Sequence, residues 1–155
     1  MTMSNIEKGI DVNVPVQTAY NQWTQFEDFP RFMDGVKEVK QLDDKRLHWR
    51  ASIGGKEKEW DAVITEQIPD ARIAWRSTGG ADNSGVVTFH RVGDNTTRVM
   101  LQIAYDAKGF AENAADAMGL VDRSIQTSLR DFKSFIEERR EETGAWRGEV
   151  RQEKK

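Results

Sequence analysis

Four large aromatic residues, Trp49, Trp60, Trp75 and Phe89, each sit near the middle of a stretch in which apolar and polar residues alternate, and a long amphipathic segment from about Lys108 to Glu142 follows them. A period of two sends successive side chains to opposite faces of a strand, so these aromatics share one face of one sheet. A sheet with one apolar face must be covered, and the long segment supplies a helix to cover it. The chain is therefore expected to fold as an α+β domain: a curved antiparallel sheet around a helix, with an aromatic interior that is either packed solid or holds a guest.

The number of strands follows from the turns. Asp43-Asp44, Gly54-Gly55, Pro69-Asp70, Gly79-Gly80 and Gly93-Asp94-Asn95 punctuate the chain at hairpin intervals. They delimit strands at about 36 to 42, 45 to 54, 57 to 67, 71 to 78, 84 to 92 and 96 to 106. A first strand at about Ser4 to Val14, where Ile6, Ile10, Val12 and Val14 alternate with polar residues, makes seven. Short connections require antiparallel neighbours.

Two short helices are expected after the first strand. Pro15 suits a helix start, and Val16, Ala19, Tyr20 and Trp23 then form one apolar stripe. Asp28 is expected to cap a second helix that carries Phe29, Phe32 and Met33 and stops at Gly35. In the long helix Phe110, Ala114, Ala117, Val121, Ile125, Leu129, Phe132 and Ile136 recur at three- and four-residue steps, with Gly144 as its natural stop. One domain over residues 1–143 and a charged, mobile tail over 144–155 complete the expected organisation.

Composition narrows the function classes. At 155 residues the chain can build a core of its own, and 32% charged residues give it a solvated exterior. It has no cysteine, which excludes thiol catalysis and cysteine metal sites and fits a reducing compartment. No signal sequence and no stretch of roughly 20 apolar residues is visible, so a cytoplasmic protein without stable membrane insertion is expected. A net charge of -3 without a basic patch argues against nucleic-acid binding.

Strand parity then sorts the chemistry. Leu47, Trp49, Ala51 and Ile53 share a face opposite His48, Arg50 and Ser52; Trp60, Ala62 and Ile64 oppose Glu59, Asp61 and Thr65. Val99, Leu101, Ile103 and Tyr105 oppose Arg98, Met100 and Gln102. The apolar face is almost free of ionisable groups, and acid–base catalysis needs one within hydrogen-bond reach of the substrate. His48 and His90, beside inward Trp49 and Phe89, face outward unless a bulge intervenes. No metal-binding, nucleophile-elbow or phosphate-loop motif occurs, so neither a cofactor nor a metal is expected.

The aromatic residues would fill a solid core, but the long helix argues for space. Its first half is built from Ala111, Ala114, Ala115, Ala117 and Gly119, whereas its second half carries Ile125, Leu129, Phe132 and Phe135. Glycine inside a helix costs about 1 kcal/mol relative to alanine, so room is expected beneath that half. The expected lining is Trp23, Phe32, Trp49, Trp60, Trp75 and Phe89, with Tyr105, Phe110, Ala114, Met118 and Gly119.

Dispersed motifs carry a family resemblance. They are Val12-x-Val14-Pro15 with Tyr20, Phe26-x-x-Phe29-Pro30-x-Phe32-Met33, the three strand tryptophans, Gly85-x-Val87-x-Phe89 and Thr97-x-Val99. In these the chain resembles the START-like, Bet v 1-like superfamily (SRPBCC), specifically its bacterial polyketide cyclase/dehydrase and lipid-transport group. The resemblance implies a helix-grip fold: a seven-stranded curved antiparallel sheet around a long C-terminal helix, with two short helices after the first strand. It also implies a cavity for an apolar small molecule such as a lipid, quinone or polyketide-like compound. With few polar groups inside, a ligand-binding or carrier protein is expected ahead of a cyclase/dehydratase that would rely on Tyr20, Tyr105, Ser77 or an inward His90. A third reading is an interaction module working through the helix exterior and the tail.

Overall fold

The computed structural model describes residues 4–33, 35–53, 56–80, 82–106 and 114–151, and for Ile53, residues 114–118 and Leu120 the backbone alone. Its strands are β1 (Ser4–Val12), β2 (Val36–Gln41), β3 (Arg46–Ile53), β4 (Lys56–Ile68), β5 (Arg72–Gly80), β6 (Asn83–Gly93) and β7 (Thr96–Tyr105). They form one antiparallel sheet in the order β1-β7-β6-β5-β4-β3-β2. Between β1 and β2 lie α1 (Val16–Trp23) and η1 (Phe26–Arg31), a 3-10 helix; α2 (Ala114–Arg139) follows the sheet.

Chain order explains the topology. Hairpins lay β2 to β7 side by side, while α1 and η1 carry the chain from β1 at one edge to β2 at the other. This is the helix-grip arrangement. The stripe predicted for the long helix is its buried face, with Val121, Ile125, Leu129, Phe132 and Ile136 all inside. The start of that segment, including Phe110, and the Gly54-Gly55 turn lie outside the described residues.

Four local features differ from the sequence reading. Asp28 does not cap a helix: η1 begins at Phe26 after Gln25, and the Asp28 carboxylate instead accepts a hydrogen bond from the Thr143 hydroxyl at 2.6 Å. The long helix ends at Arg139 rather than at Gly144, because Arg140 turns into the left-handed region at φ 62°. A bulge between Ile64 and Glu66 reverses the parity of β4, so Gln67, only 1% exposed, points inward. The fourth concerns the C-terminal segment.

Residues 142–151 form a strap seated on the domain instead of a free tail. Val150 pairs with Gln67 through both backbone bonds, at 2.7 and 2.9 Å, and is buried. Trp146 packs against the core. The strap passes close to the Gln25 side chain at Gly144, where a Cβ would stand 2.6 Å from the amide oxygen. Polar anchors, which carry no hydrophobic signal, do the rest, and they explain why the segment reads as mobile from sequence.

Candidate functional site: an aromatic cavity between sheet and helix

A cavity of about 150 Å³ lies inside the sheet. The sheet contributes Trp49, Trp60, Ile64, Ile73, Trp75 and Val87. Trp23, Phe26 and Phe29 form a second wall from α1 and η1, and Val121, Ile125 and Leu129 a third from α2. Strand alternation places the first group, helical periodicity the third.

Aromatic contacts tie these walls together. Trp49 and Trp60 stack at 5.8 Å and 10°. Phe29 stands 5.6 Å from Trp49 and 5.4 Å from Trp23, and Trp23 meets Phe132 of α2 at 5.4 Å. The indole N–H groups of Trp23 and Trp49 are buried without a hydrogen-bond partner, leaving two donors on residues of the cavity wall. Trp75 owes its position to Gly85, opposite it in register. A Cβ on Gly85 would fall 2.5 Å from the Trp75 ring.

The residues expected to line the cavity separate into groups. Trp23, Trp49, Trp60, Trp75 and Tyr105 are on its wall. Phe32 and Phe89 are buried but lie behind it: Phe32 packs on Trp23 and Phe132, and Phe89 on Tyr20 at 5.4 Å. Gly119 is exposed, and a Cβ added to it would meet nothing within 4 Å, so it is not a wall residue. Phe110 and the side chains of Ala114 and Met118 lie outside the described residues. Ser124 and Ser128, one turn apart on α2, and Asn83 from β6 also line the cavity, beyond the residues expected from the sequence. The signal for the two serines is a small polar residue recurring at a four-residue step inside an apolar stripe.

The polar chemistry of the wall is sparse. Tyr105 is the one ionisable side chain among its described residues. Burial, reinforced by the Asp122 charge, raises its pKa and keeps the phenol neutral. Neutral Tyr105, Asn83, Ser124 and Ser128 offer hydrogen bonds but no charge. Both histidines are on the outer face: His48 Nδ1 lies 2.7 Å from Asp61 Oδ1, and His90 meets the Thr88 hydroxyl at 3.0 Å. Among the described residues no three His, Asp or Glu side chains converge where a metal ion would sit, and no helix is long and apolar enough to cross a membrane.

Residues 12–134 match the family described as polyketide cyclase / dehydrase and lipid transport. The chain belongs to this family. It is 54% identical over 149 residues to the 17.2 kDa protein in the melC2-rnhH intergenic region of Streptomyces lincolnensis, covering 96% of this chain and 99% of that one. Among solved structures it resembles the Zhui aromatase/cyclase of Streptomyces sp. R1128, with a TM-score of 0.76 at 15% identity over 94% of this chain and 100% of that chain. It also resembles a START superfamily protein from Mycobacterium smegmatis, with a TM-score of 0.69 at 14% identity, over 87% and 95% of the two chains. At these identities the two structures establish the fold; the family match adds that cyclases, dehydrases and lipid transporters share it.

Proposed function

We propose that the chain binds and carries a small hydrophobic ligand of lipid, quinone or polyketide-like character in this cavity, working in the cytoplasm. The observation that carries the reading is a largely apolar, aromatic-lined space in the core whose described wall holds one ionisable group, kept neutral by burial. Family membership and the buried aromatic cluster both support hydrophobic-ligand binding. Ligand contacts are assigned to Trp23, Trp49, Trp60, Trp75 and Tyr105. Titration with the apolar dye Nile red tests this. Dye fluorescence should rise and tryptophan emission fall together, and the fillers Ala51→Leu and Ser128→Leu should weaken binding. Unchanged affinity in both folded variants would place the dye elsewhere.

A cyclase or dehydratase is the second reading, favoured by the family and by the polar group of Tyr105, Asn83, Ser124 and Ser128 on the wall. Incubation with a linear poly-β-ketone discriminates between the two. Protein-dependent ring formation that disappears in Tyr105→Phe supports the enzyme; binding without conversion supports the carrier.

A further inference from the structure

The segment from α1 to η1 has two faces. Trp23, Phe26 and Phe29 face the cavity, while Asn21, Gln22, Thr24 and Asp28 face the strap. Every one of these polar side chains is engaged by it. Asn21 donates to Glu142 at 2.7 Å, Gln22 exchanges bonds with Thr143 at 2.9 and 3.0 Å, and Thr24 accepts from the Trp146 amide at 3.1 Å. Asp28 accepts from the Thr143 hydroxyl. Arg147 closes the seam: it donates to Asn21 at 2.6 Å and to Asp70 at 2.8 Å, and its guanidinium lies 5.6 Å from the Tyr20 ring centre. Residues 142–151 fall outside the stretch that matches the family, 12–134.

We propose that the strap is a latch on the α1–η1 wall, that Arg147 is its positioning residue, and that the wall swings outward to admit the ligand. The proposal rests on reading the cavity as a ligand site. Its volume of about 150 Å³ suits a guest of about one aromatic ring, whereas ligand pockets commonly span about 300–1,000 Å³. A larger guest requires a wall to move. The sheet is held by hydrogen-bonded ladders across all seven strands and α2 runs 26 residues, but α1 has eight residues and η1 six.

The seam also suits opening. Its bonds join polar groups, which exchange them for bonds to water at small net cost, unlike an apolar contact. The closed state moreover leaves Asp70 Oδ1, the Tyr20 hydroxyl and Gln67 Nε2 buried without a hydrogen-bond partner, the Gln67 amide lying near Tyr20 short of bonding geometry. Opening hydrates all three. Both exchanges offset part of the cost of exposing the buried aromatic face of the wall, Tyr20, Trp23, Phe26 and Phe29, when it opens.

Hydrogen exchange and Nile red stopped-flow on the full chain test the latch. In the unmodified protein, amides of residues 16–32 should exchange ahead of those in β6 and β7. Arg147→Ala and, separately, Thr143→Val should speed exchange of residues 16–32 by about fivefold, and dye uptake and release by a similar factor, with a smaller change in equilibrium affinity. A merely stabilising contact would not raise both rates while sparing affinity. Exchange of residues 16–32 as slow as β6 and β7 in the unmodified protein overturns the latch, and so do folded variants with unchanged rates. Faster exchange in variants of a protein that never takes up dye would keep the latch and reject the carrier reading.

Discussion

The indole rings of Trp49 on β3 and Trp60 on β4 are directly opposite in register and stack 5.8 Å apart, 10° from parallel. Two indoles so placed couple electronically, so the far-ultraviolet circular dichroism of the protein should contain a paired exciton band. Trp60→Phe should abolish the band and weaken Nile red binding about threefold to tenfold, as expected for loss of one aromatic contact. Retention of the band would mean that the rings are not stacked in solution.

Leu129 anchors the buried face of α2 and is 3% exposed. Leu129→Ala should destabilise the fold by about 2–5 kcal/mol in equilibrium urea unfolding. An unchanged midpoint would show that α2 turns a different face to the sheet.

Neither histidine faces the cavity; His48 is engaged with Asp61 and His90 with Thr88 on the outer surface. His48→Gln and His90→Gln should each keep Nile red affinity, and any ring-forming turnover, within about threefold, whereas removing an acid–base catalyst costs about 100-fold or more. A larger loss of turnover in either folded variant would bring that imidazole into the chemistry.

The chain has two tyrosines, Tyr20 and Tyr105, and burial raises the pKa of both above the ordinary value of 10.0. For Tyr20 the Gln67 amide and Arg147 oppose that rise, while Asp70 and Glu149 add to it. An unfolded chain releases these protons first, so their stabilising contribution is complete below pH 10 and is lost as pH climbs through the raised folded values. Phenolate absorbance should appear only together with loss of near-ultraviolet circular dichroism. Titration of either tyrosine at its ordinary value in the folded protein would contradict its burial.

Much of this architecture is legible in the sequence because alternation and turn chemistry are local signals. Trp49, Trp60, Trp75, Val99 and Leu101 go to the predicted face, since each lies in a stretch of regular pairing, Trp60 ahead of the bulge that reverses β4. Gln67 escapes that logic: the bulge before it inserts one residue and leaves no signature in residue type. Parity also reports a face and not a depth, so it cannot separate Phe89, packed on Tyr20, from Trp75 on the cavity wall. The strap is illegible for another reason. Asn21, Gln22 and Thr24 read as solvent-facing positions until a distant segment supplies their partners.

Native mass spectrometry of the protein purified from its own host tests whether the space between sheet and α2 holds a small apolar molecule. A bound species of defined mass, extractable into organic solvent, should be present on the unmodified chain and depleted in folded Ala51→Leu. An adduct-free spectrum, together with failure to take up Nile red, would contradict it and leave the aromatic interior as packing alone.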